Sequence, residues 1–320
     1  MAVKTETKHA GEFLLHEGMR DMSREKVTVL SGQNLGVGAV VGRVGLGIGG
    51  MVAVLSGSSP GDGTMTAIFA GPDVEEGAYL VQCTAIATNN GTFSVTAPSG
   101  KVLPPAVMAG GTLVYTSSHI NFTLTDGSAD FALTALFTVT VGATAPVVIG
   151  GTGTGVMTAL SLGPDALPGQ YRVQNKVVVT NGGDMEVINP LGESIGRFIW
   201  AASGSTAAFT SRQVNFTLSD ATDYIAANYF DIAVYNKGER GKGKVVAYDP
   251  KTYDGRHRVA GILFDAVDAS ASDLPGLIIA RHAMVKSGDL AWAAAVVSAQ
   301  QQVAKTEMAQ LLDIVVRDNY

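Results

Sequence analysis

Gly63-Thr64-Met65-Thr66-Ala67, followed by Gly71-Pro72-Asp73, recurs 92 residues later as Gly155-Val156-Met157-Thr158-Ala159, followed by Gly163-Pro164-Asp165. Recurrence at a fixed period marks a structural unit that the chain builds more than once. The register holds beyond the opening: Gly77-Ala78-Tyr79-Leu80-Val81-Gln82 aligns with Gly169-Gln170-Tyr171-Arg172-Val173-Gln174, and Pro98 and Gly100 align with Pro190 and Gly192. A small insertion then shifts the spacing to 94, where Asn121-Phe122-Thr123-Leu124-Thr125-Asp126 meets Asn215-Phe216-Thr217-Leu218-Ser219-Asp220. Two copies of one module follow each other.

Inside each copy the apolar period is two. Met65, Ala67 and Phe69 fall on one face, as do Tyr79, Val81 and Cys83, Ile120, Phe122 and Leu124, and Phe137, Val139 and Val141. Short alternating runs bounded by Gly-Pro-Asp, Asn-Asn-Gly and Thr-Asp-Gly turns read as half-buried antiparallel strands. About six or seven of them per copy fit a small β-sandwich of the immunoglobulin-like kind. Cys83 points inward and has a packing role. Its counterpart is Asn175, which predicts a partly buried strand end.

The text on either side of the repeats is different. Arg24 to Leu30, Gly38 to Val44, Lys244 to Tyr248, Val259 to Phe264 and Leu277 to Ala280 read as strands, and Asp249 to Gly255 as a turn-rich loop. A helix is predicted from Leu290 to Leu312 with Asp289 as its N-cap, before a closing strand at Ile314-Val315-Val316. Residues 1–23 are polar, with Phe13-Leu14-Leu15 as a local anchor, and read as an extended arm. The expected organisation is one discontinuous domain, 1–44 plus 237–320, interrupted by sandwiches at 45–146 and 147–236. The fold class is mainly β, a small β-rich domain with one C-terminal helix split by two tandem antiparallel β-sandwiches.

Composition sharpens that division. Residues 45–236 hold 13 acidic and 5 basic residues, a balance of −8, whereas the flanks hold 15 acidic and 17 basic, a balance of +2. The overall charge of −6 gives no reason to expect nucleic acid. A single Cys closes no internal disulfide, and five dispersed His residues show no metal-ligand spacing. The apolar stretch Gly36 to Leu55 is interrupted by glycines and by Arg43, against a spanning helix. The N-terminus lacks the apolar stretch of a signal peptide. The expectation is a soluble chain with no membrane partner.

Several strings spell catalytic motifs and fail on context. Gly57-Ser58-Ser59-Pro60-Gly61 has the spelling of a nucleophile elbow, but a turn follows where the elbow needs a helix. Gly45-Leu46-Gly47-Ile48-Gly49-Gly50 spells a dinucleotide fingerprint, but Met51 to Leu55 reads as a strand. The basic run Lys237 to Lys244 reads as a solvated linker. Asp73, Asp165, Asp126 and Asp220 sit where turns select Asp, without the spacing of a calcium loop. No catalytic, cofactor-binding or metal-binding residue is assigned, and no enzyme is expected.

Arg24-Glu25-Lys26-Val27-Thr28-Val29-Leu30-Ser31-Gly32-Gln33-Asn34-Leu35, continuing to Val41-Gly42 and resuming at Val245-Val246-Ala247-Tyr248-Asp249, resembles the head decoration proteins of tailed bacteriophages, the lambda-type family. Asp254-Gly255, Val259-Ala260-Gly261-Ile262-Leu263, Ala266 to Ser270 and Asp289-Leu290-Ala291-Trp292 stand in the family's order. The resemblance covers about 125 of 320 residues and puts the motif core at Val27, Val29, Gly32, Tyr248, Asp249, Gly255, Gly261, Ile262 and Trp292. It implies a structural virion protein on the outer surface of the expanded head, with the major capsid protein and its own copies, as a homotrimer, for partners. It also implies an N-terminal arm pairing with capsid strands, which assigns Phe13, Leu14, Leu15, Met19 and Met22 to capsid contact. The inserted sandwiches, similar to modules fused to phage head proteins, would project outward. An alternative makes them adhesins for a host surface glycan, although neither copy shows a cluster of aromatic side chains at a loop.

Overall fold

The computed structural model describes residues 8–57, 61–142, 145–146, 148–149, 155–179, 182–200, 206–219, 229–237 and 243–318. They divide into two compact units, one drawn from 1–45 and 241–320, the other from 46–240. Both are mainly β, and the one long helix lies near the C-terminus.

In the first unit, five strands close into a barrel in the order Arg24–Val29, Val245–Ala247, Val40–Arg43, Val259–Leu263, Leu274–Ile279. Closure leaves no unpaired strand edge in this sheet. Val29, Val41, Val245, Leu263 and Ile278 are buried together in one cluster. Val40, Ile262 and Ile279 belong to a second cluster, with Ala304 and Met308 of the helix Ser298–Leu311. Those two helical residues are four apart and so share one face. A Cβ at Gly42 would overlap the Arg256 carbonyl, so the close approach of the 254–258 loop requires glycine there. A further sheet runs Leu14–Glu17, Ala283–Lys286, Ile314–Arg317, antiparallel and then parallel.

The helix begins at Ser298, not at Leu290, and Asp289 lies in a short 3-10 turn instead of capping it. Residues 290–297 are irregular because tertiary bonds hold them. Ala291 donates to the Gly38 carbonyl at 2.9 Å and accepts from the Val40 amide at 3.0 Å, while Leu290 and Val296 are buried. These bonds outweigh the helix propensity of the Ala-rich run, which is worth only tenths of a kcal/mol per residue. The Gln300 side chain accepts from the Val297 amide at 3.0 Å and caps the helix that does form.

The second unit holds two sandwiches. In the first, a sheet ordered Val102–Met108, Asn90–Thr96, Gly77–Ala87, Leu136–Val141, Met51–Ser56 faces one ordered Thr112–Tyr115, Ile120–Thr125, Thr64–Ala70. Tyr79, Val81, Phe93, Phe122, Leu124 and Phe137 fill the space between. Cys83 and Asn175 are both buried, whereas Thr84 to Ala87 are exposed, so the strand end is partly exposed beyond Cys83. The alternation Met65, Ala67, Phe69 fails at a bulge. Ala67 adopts φ +47°, and the pairing skips between Thr66↔Thr123 and Phe69↔Asn121. An inserted residue reverses every later side chain on the strand, so Ile68 packs on the core and Phe69 turns away. Ala159, at φ +51°, marks the same irregularity in the second copy.

In the second sandwich, a sheet running Ser194–Trp200, Gly182–Ile188, Gly169–Val179, Tyr229–Asn236 faces Val156–Leu162, Val214–Ser219, Thr206–Phe209. The outer side of Tyr229–Asn236 is paired twice, with Val148–Ile149 along 229–230 and with Leu46–Gly49 along 233–236. Leu46–Gly49, expected at the start of the first sandwich, therefore lies in the sheet of the second, where Leu46 and Ile48 pack on its core. Val148–Ile149 reaches only residues 229–230, and Leu46–Gly49 supplies the partners that the interior backbone of 233–236 needs.

The two cores meet at Tyr229–Asn236. Phe230, Ile232 and Val234 enter the second core, while Ala233 and Tyr235 enter the first. A Cβ at Gly47 or at Gly142 would run into the Tyr235 ring. Asn236 ties the junction through its amide to the Val74 carbonyl at 2.7 Å, through Nδ2 to the same carbonyl at 3.0 Å, and by accepting from Glu76 at 2.9 Å. Replacing Tyr235 by Ala is expected to cost about 3–5 kcal/mol, the range for a fully packed aromatic ring. Hydrogen exchange should show protection falling in both Gly77–Ala87 and Gly169–Val179; loss in one strand alone would mean that the sandwiches fold separately.

Candidate functional site

The densest group of titratable side chains lies in the first sandwich. His119 Nδ1 is 3.3 Å from Tyr79 Oη and 3.8 Å from Glu75 Oε1, and its Nε2 is 3.3 Å from Lys101 Nζ. Glu75 accepts from the Ser99 amide at 3.0 Å and from Ser99 Oγ at 3.1 Å, and Tyr79 Oη accepts from the Glu75 amide at 2.7 Å. A hydrolytic arrangement would place the imidazole between hydroxyl and carboxylate. Here the carboxylate holds the serine directly, and both His119 and Glu75 are buried. In the second sandwich Gln213 stands where His119 does and accepts from Tyr171 Oη at 2.9 Å. The same turn is thus held without an imidazole, and the cluster is a structural tie.

Burial, helped by the Lys101 ammonium, lowers the His119 pKa against the opposing pull of Glu75 and Asp73. The folded chain then keeps His119 neutral at a pH where the unfolded chain, with an ordinary value near 6.5, takes up a proton. This stability contribution is present above pH ~6.5 and is lost as pH falls below it. Urea midpoints measured down this range should fall further for the native chain than for His119→Gln, the residue its sister module uses. Parallel titration of the two would remove His119 from the pH dependence.

Where the described residues cover the remaining motif strings, those strings serve the fold. Asp165 pairs with Arg212 at 2.5 Å, Asp126 accepts from the Gly127 amide at 3.2 Å, and the Asp73 amide donates to the Ser118 carbonyl at 2.8 Å. Asp220, Ser58 to Pro60 and the run 238–242 lie outside the described residues. Burial pushes the Cys83 thiol up, away from reactivity. Leu46–Gly49 is a strand, not the turn and helix of a dinucleotide site. Among the described residues, no group of three His, Cys, Asp or Glu could hold a metal, and no helix is long and apolar enough to cross a membrane.

Surfaces therefore carry the functional argument, and the N-terminal stretch of the first unit is the first of them. Phe13 is fully buried in the core with Val40, Ile279 and Met308, and Leu14 packs at its margin. Leu14–Glu17 pairs with Ala283–Lys286, the Lys286 amide donates to the Phe13 carbonyl at 2.8 Å, and Gly11 donates to Phe264 at 2.9 Å. Arg24 grips Glu17 with two bonds of 2.7 and 2.8 Å and covers the Phe264 ring at 4.2 Å. Residues 11–23 are thus part of the folded unit, which corrects their reading as an arm. The physical reason is that Phe13 and Leu14 supply apolar area to a small barrel. Residues 1–7 of that arm lie outside the described residues.

Of the five assigned contact residues, Met19 at 73% and Met22 at 51% exposure face solvent, around the short helical turn Arg20–Ser23. Phe13, Leu14 and Leu15 do not. The motif residues serve the barrel itself. Val27, Val29, Tyr248 and Ile262 are buried, and Gly32 turns the chain at φ +84°. A Cβ at Gly255 would overlap the Arg43 carbonyl, and one at Gly261 would fall 2.5 Å from the Ile279 carbonyl. Asp249 closes its own loop by accepting from the Lys251 amide at 3.0 Å and Thr252 Oγ1 at 2.7 Å. Tyr248 meets Trp292 edge-on at 6.2 Å, and the half-buried Trp292 walls a groove of about 300 Å³ with Gln33, Leu35 and Ala247.

Two further exposed apolar residues, Val303 and Leu311, lie on the helix. With the helix expected to start at Leu290, the sequence offered no signal separating them from core positions. Replacing Phe13 by Ala is expected to destabilise the first unit by about 3–5 kcal/mol, whereas Met19→Ala and Met22→Ala should stay within about 0.5 kcal/mol. Urea unfolding would check the contrast, and equal, small effects would return Phe13 to a mobile arm.

In comparisons with known proteins, the family model described as bacteriophage lambda head decoration protein D matches residues 3–314. That is nearly the whole chain, and the chain belongs to this family. No curated protein and no solved structure matches it.

Proposed function

We propose that this member of the head decoration family binds the outer surface of the assembled phage head as a trimer and holds the shell against the pressure of packaged DNA. The observation that carries the reading is the family match across residues 3–314, which includes both halves of the barrel unit. The family is structural, and the clustered titratable groups of this chain serve its fold. The near-neutral charge balance of the flanks suits contact with a shell, and the −8 balance of the middle suits a solvent-facing position.

Contact falls to the residues ahead of Gly11 and to the exposed Met19 and Met22. The sheet Leu14–Glu17, Ala283–Lys286, Ile314–Arg317 has two outer strands, each paired on one side only within it, so added strands have backbone groups to bond. Each such bond is worth about 1 kcal/mol net, and linking three copies turns weak contacts into avid binding. A ligand that binds only the expanded lattice stabilises it by mass action, without chemistry.

Purified protein should cosediment saturably with expanded heads. Removing residues 2–10 or introducing Met19→Asp with Met22→Asp is expected to weaken binding at least ~10-fold, a loss of ~1.4 kcal/mol, with the melting temperature unchanged. Undiminished binding by both variants would take this surface out of the mechanism, and an absence of binding by the native chain would end the reading. Removing residues 2–23 is not an equivalent test, since it deletes Phe13 from the core.

A further inference from the structure

The five-stranded sheet of the first sandwich has an outer face without charge. None of its strands, Met51–Ser56, Gly77–Ala87, Asn90–Thr96, Val102–Met108 and Leu136–Val141, contains an Asp, Glu, Lys or Arg. One row crosses the sheet as Val102, Thr96, Leu80, Thr138 and Val54, each directly opposite the next. Val102 is 72% exposed, Val54 58% and Leu80 42%. Beside it runs Ser94, Gln82, Leu136 and Ser56. Two hydroxyls of this face bond to the backbone of the sheet: Thr84 Oγ1 donates to the Thr92 carbonyl at 3.0 Å, and Ser56 Oγ to the Leu136 carbonyl at 3.2 Å.

The second sandwich carries paired charges on the same face, part of which lies against the first sandwich. At the position of Leu80 it carries Arg172, and at that of Thr138 it carries Asp231, joined by bonds of 2.8 and 2.9 Å. Lys176 and Glu186 pair at 2.9 Å, and Arg197 pairs with Asp184. Exposed apolar rows without charge are where natural sheets associate, and charges are the usual guard against it. One copy of the module has that guard and the other lacks it. The register is already a contact within the chain, because Phe69 of the first sandwich lies 5.0 Å from the Arg172 guanidinium.

We infer that the charge-free face of the first sandwich docks against the same face of a second copy of this chain. Charge selects that occupant. Residues 45–236 carry a balance of −8, so two copies repel through most of this region, and an uncharged face is one by which they can meet without like-charge opposition. Size sets the strength. Strands about 4.8 Å apart with about six residues at ~3.4 Å each make a face on the order of 400–500 Å², below the ~800 Å² per partner of a stable complex. The contact is therefore weak between free molecules and acts when copies are held close together, as they are if the proposed shell binding is right.

The test uses the full chain free in solution, so its outcome does not depend on head binding. Sedimentation velocity from about 10 μM to about 1 mM should show the native chain associating beyond its low-concentration species. Raising salt from about 0.1 M to about 0.5 M should strengthen that association by screening the acidic surroundings. Leu80→Arg with Thr138→Asp installs the sister module's pair in the same register and should weaken association at least ~10-fold. Val102→Lys, on an exposed edge strand, should do likewise even if the double variant misfolds. A native chain that stays at its low-concentration species throughout overturns the inference, as does association that survives Val102→Lys in a folded chain. Since neither variant touches residues 1–23, both should still cosediment with heads and lose only the cooperativity that contact between neighbouring copies adds. Loss of head binding with self-association intact would leave this inference standing and count against the capsid surface alone.

Discussion

The second unit depends on one strand being buried on both faces. Tyr229–Asn236 sends Phe230, Ile232 and Val234 into one core and Ala233 and Tyr235 into the other, so neither sandwich is complete without it. A strand that alternates with polar residues cannot do this, because its outward side chains need water. The run Ile232-Ala233-Val234-Tyr235 is continuous in apolar character, whereas its counterpart Leu136–Val141 alternates with Thr. The same strand pairs with Leu46–Gly49, which brings the first and last strands of the inserted unit side by side. On the host side, Arg43 faces Val245 across the barrel ladder. Each unit therefore presents its two chain ends as an antiparallel pair, and that allows some 190 residues to be inserted while the barrel stays closed.

In the first unit the limiting constraint is size. A five-stranded barrel of short strands has little interior, and it recruits apolar area from outside: the C-terminal helix through Ala304 and Met308, and the N-terminal stretch through Phe13. The family motif is the set of residues this closure needs. Gly42, Gly255 and Gly261 stand where backbone passes backbone, Val27 and Val29 fill the interior, and Ile262 packs beneath the helix. A motif of this kind reports fold more than contact. The proposed contact falls to side chains the fold does not consume, Met19 and Met22 among them.

The modules diverge where the fold permits it. Their cores match closely, Tyr79 with Tyr171 and Phe122 with Phe216, yet the turn tie changes from His119 to Gln213 and the outer sheet face from Leu80 and Thr138 to Arg172 and Asp231. Interior positions are held by packing, where a single methylene is felt. Exposed positions on a completed sheet are free to carry charge or to lack it.

The sequence by itself determined the two-copy architecture, the strand content of each copy, the split of the flanks from the middle and the family. All of these rest on periodicity and on short ordered motifs, which are local properties. Only the tertiary structure decided that Ala67 begins a bulge that turns Phe69 outward, that residues 290–297 are held out of the helix by Gly38 and Val40, and that Phe13 belongs to the core. It also decided that Leu46–Gly49 serves the second sandwich. In each case the deciding partner lies far along the chain, and a backbone hydrogen bond or a filled core volume outweighs the local preference that a reading of the sequence measures.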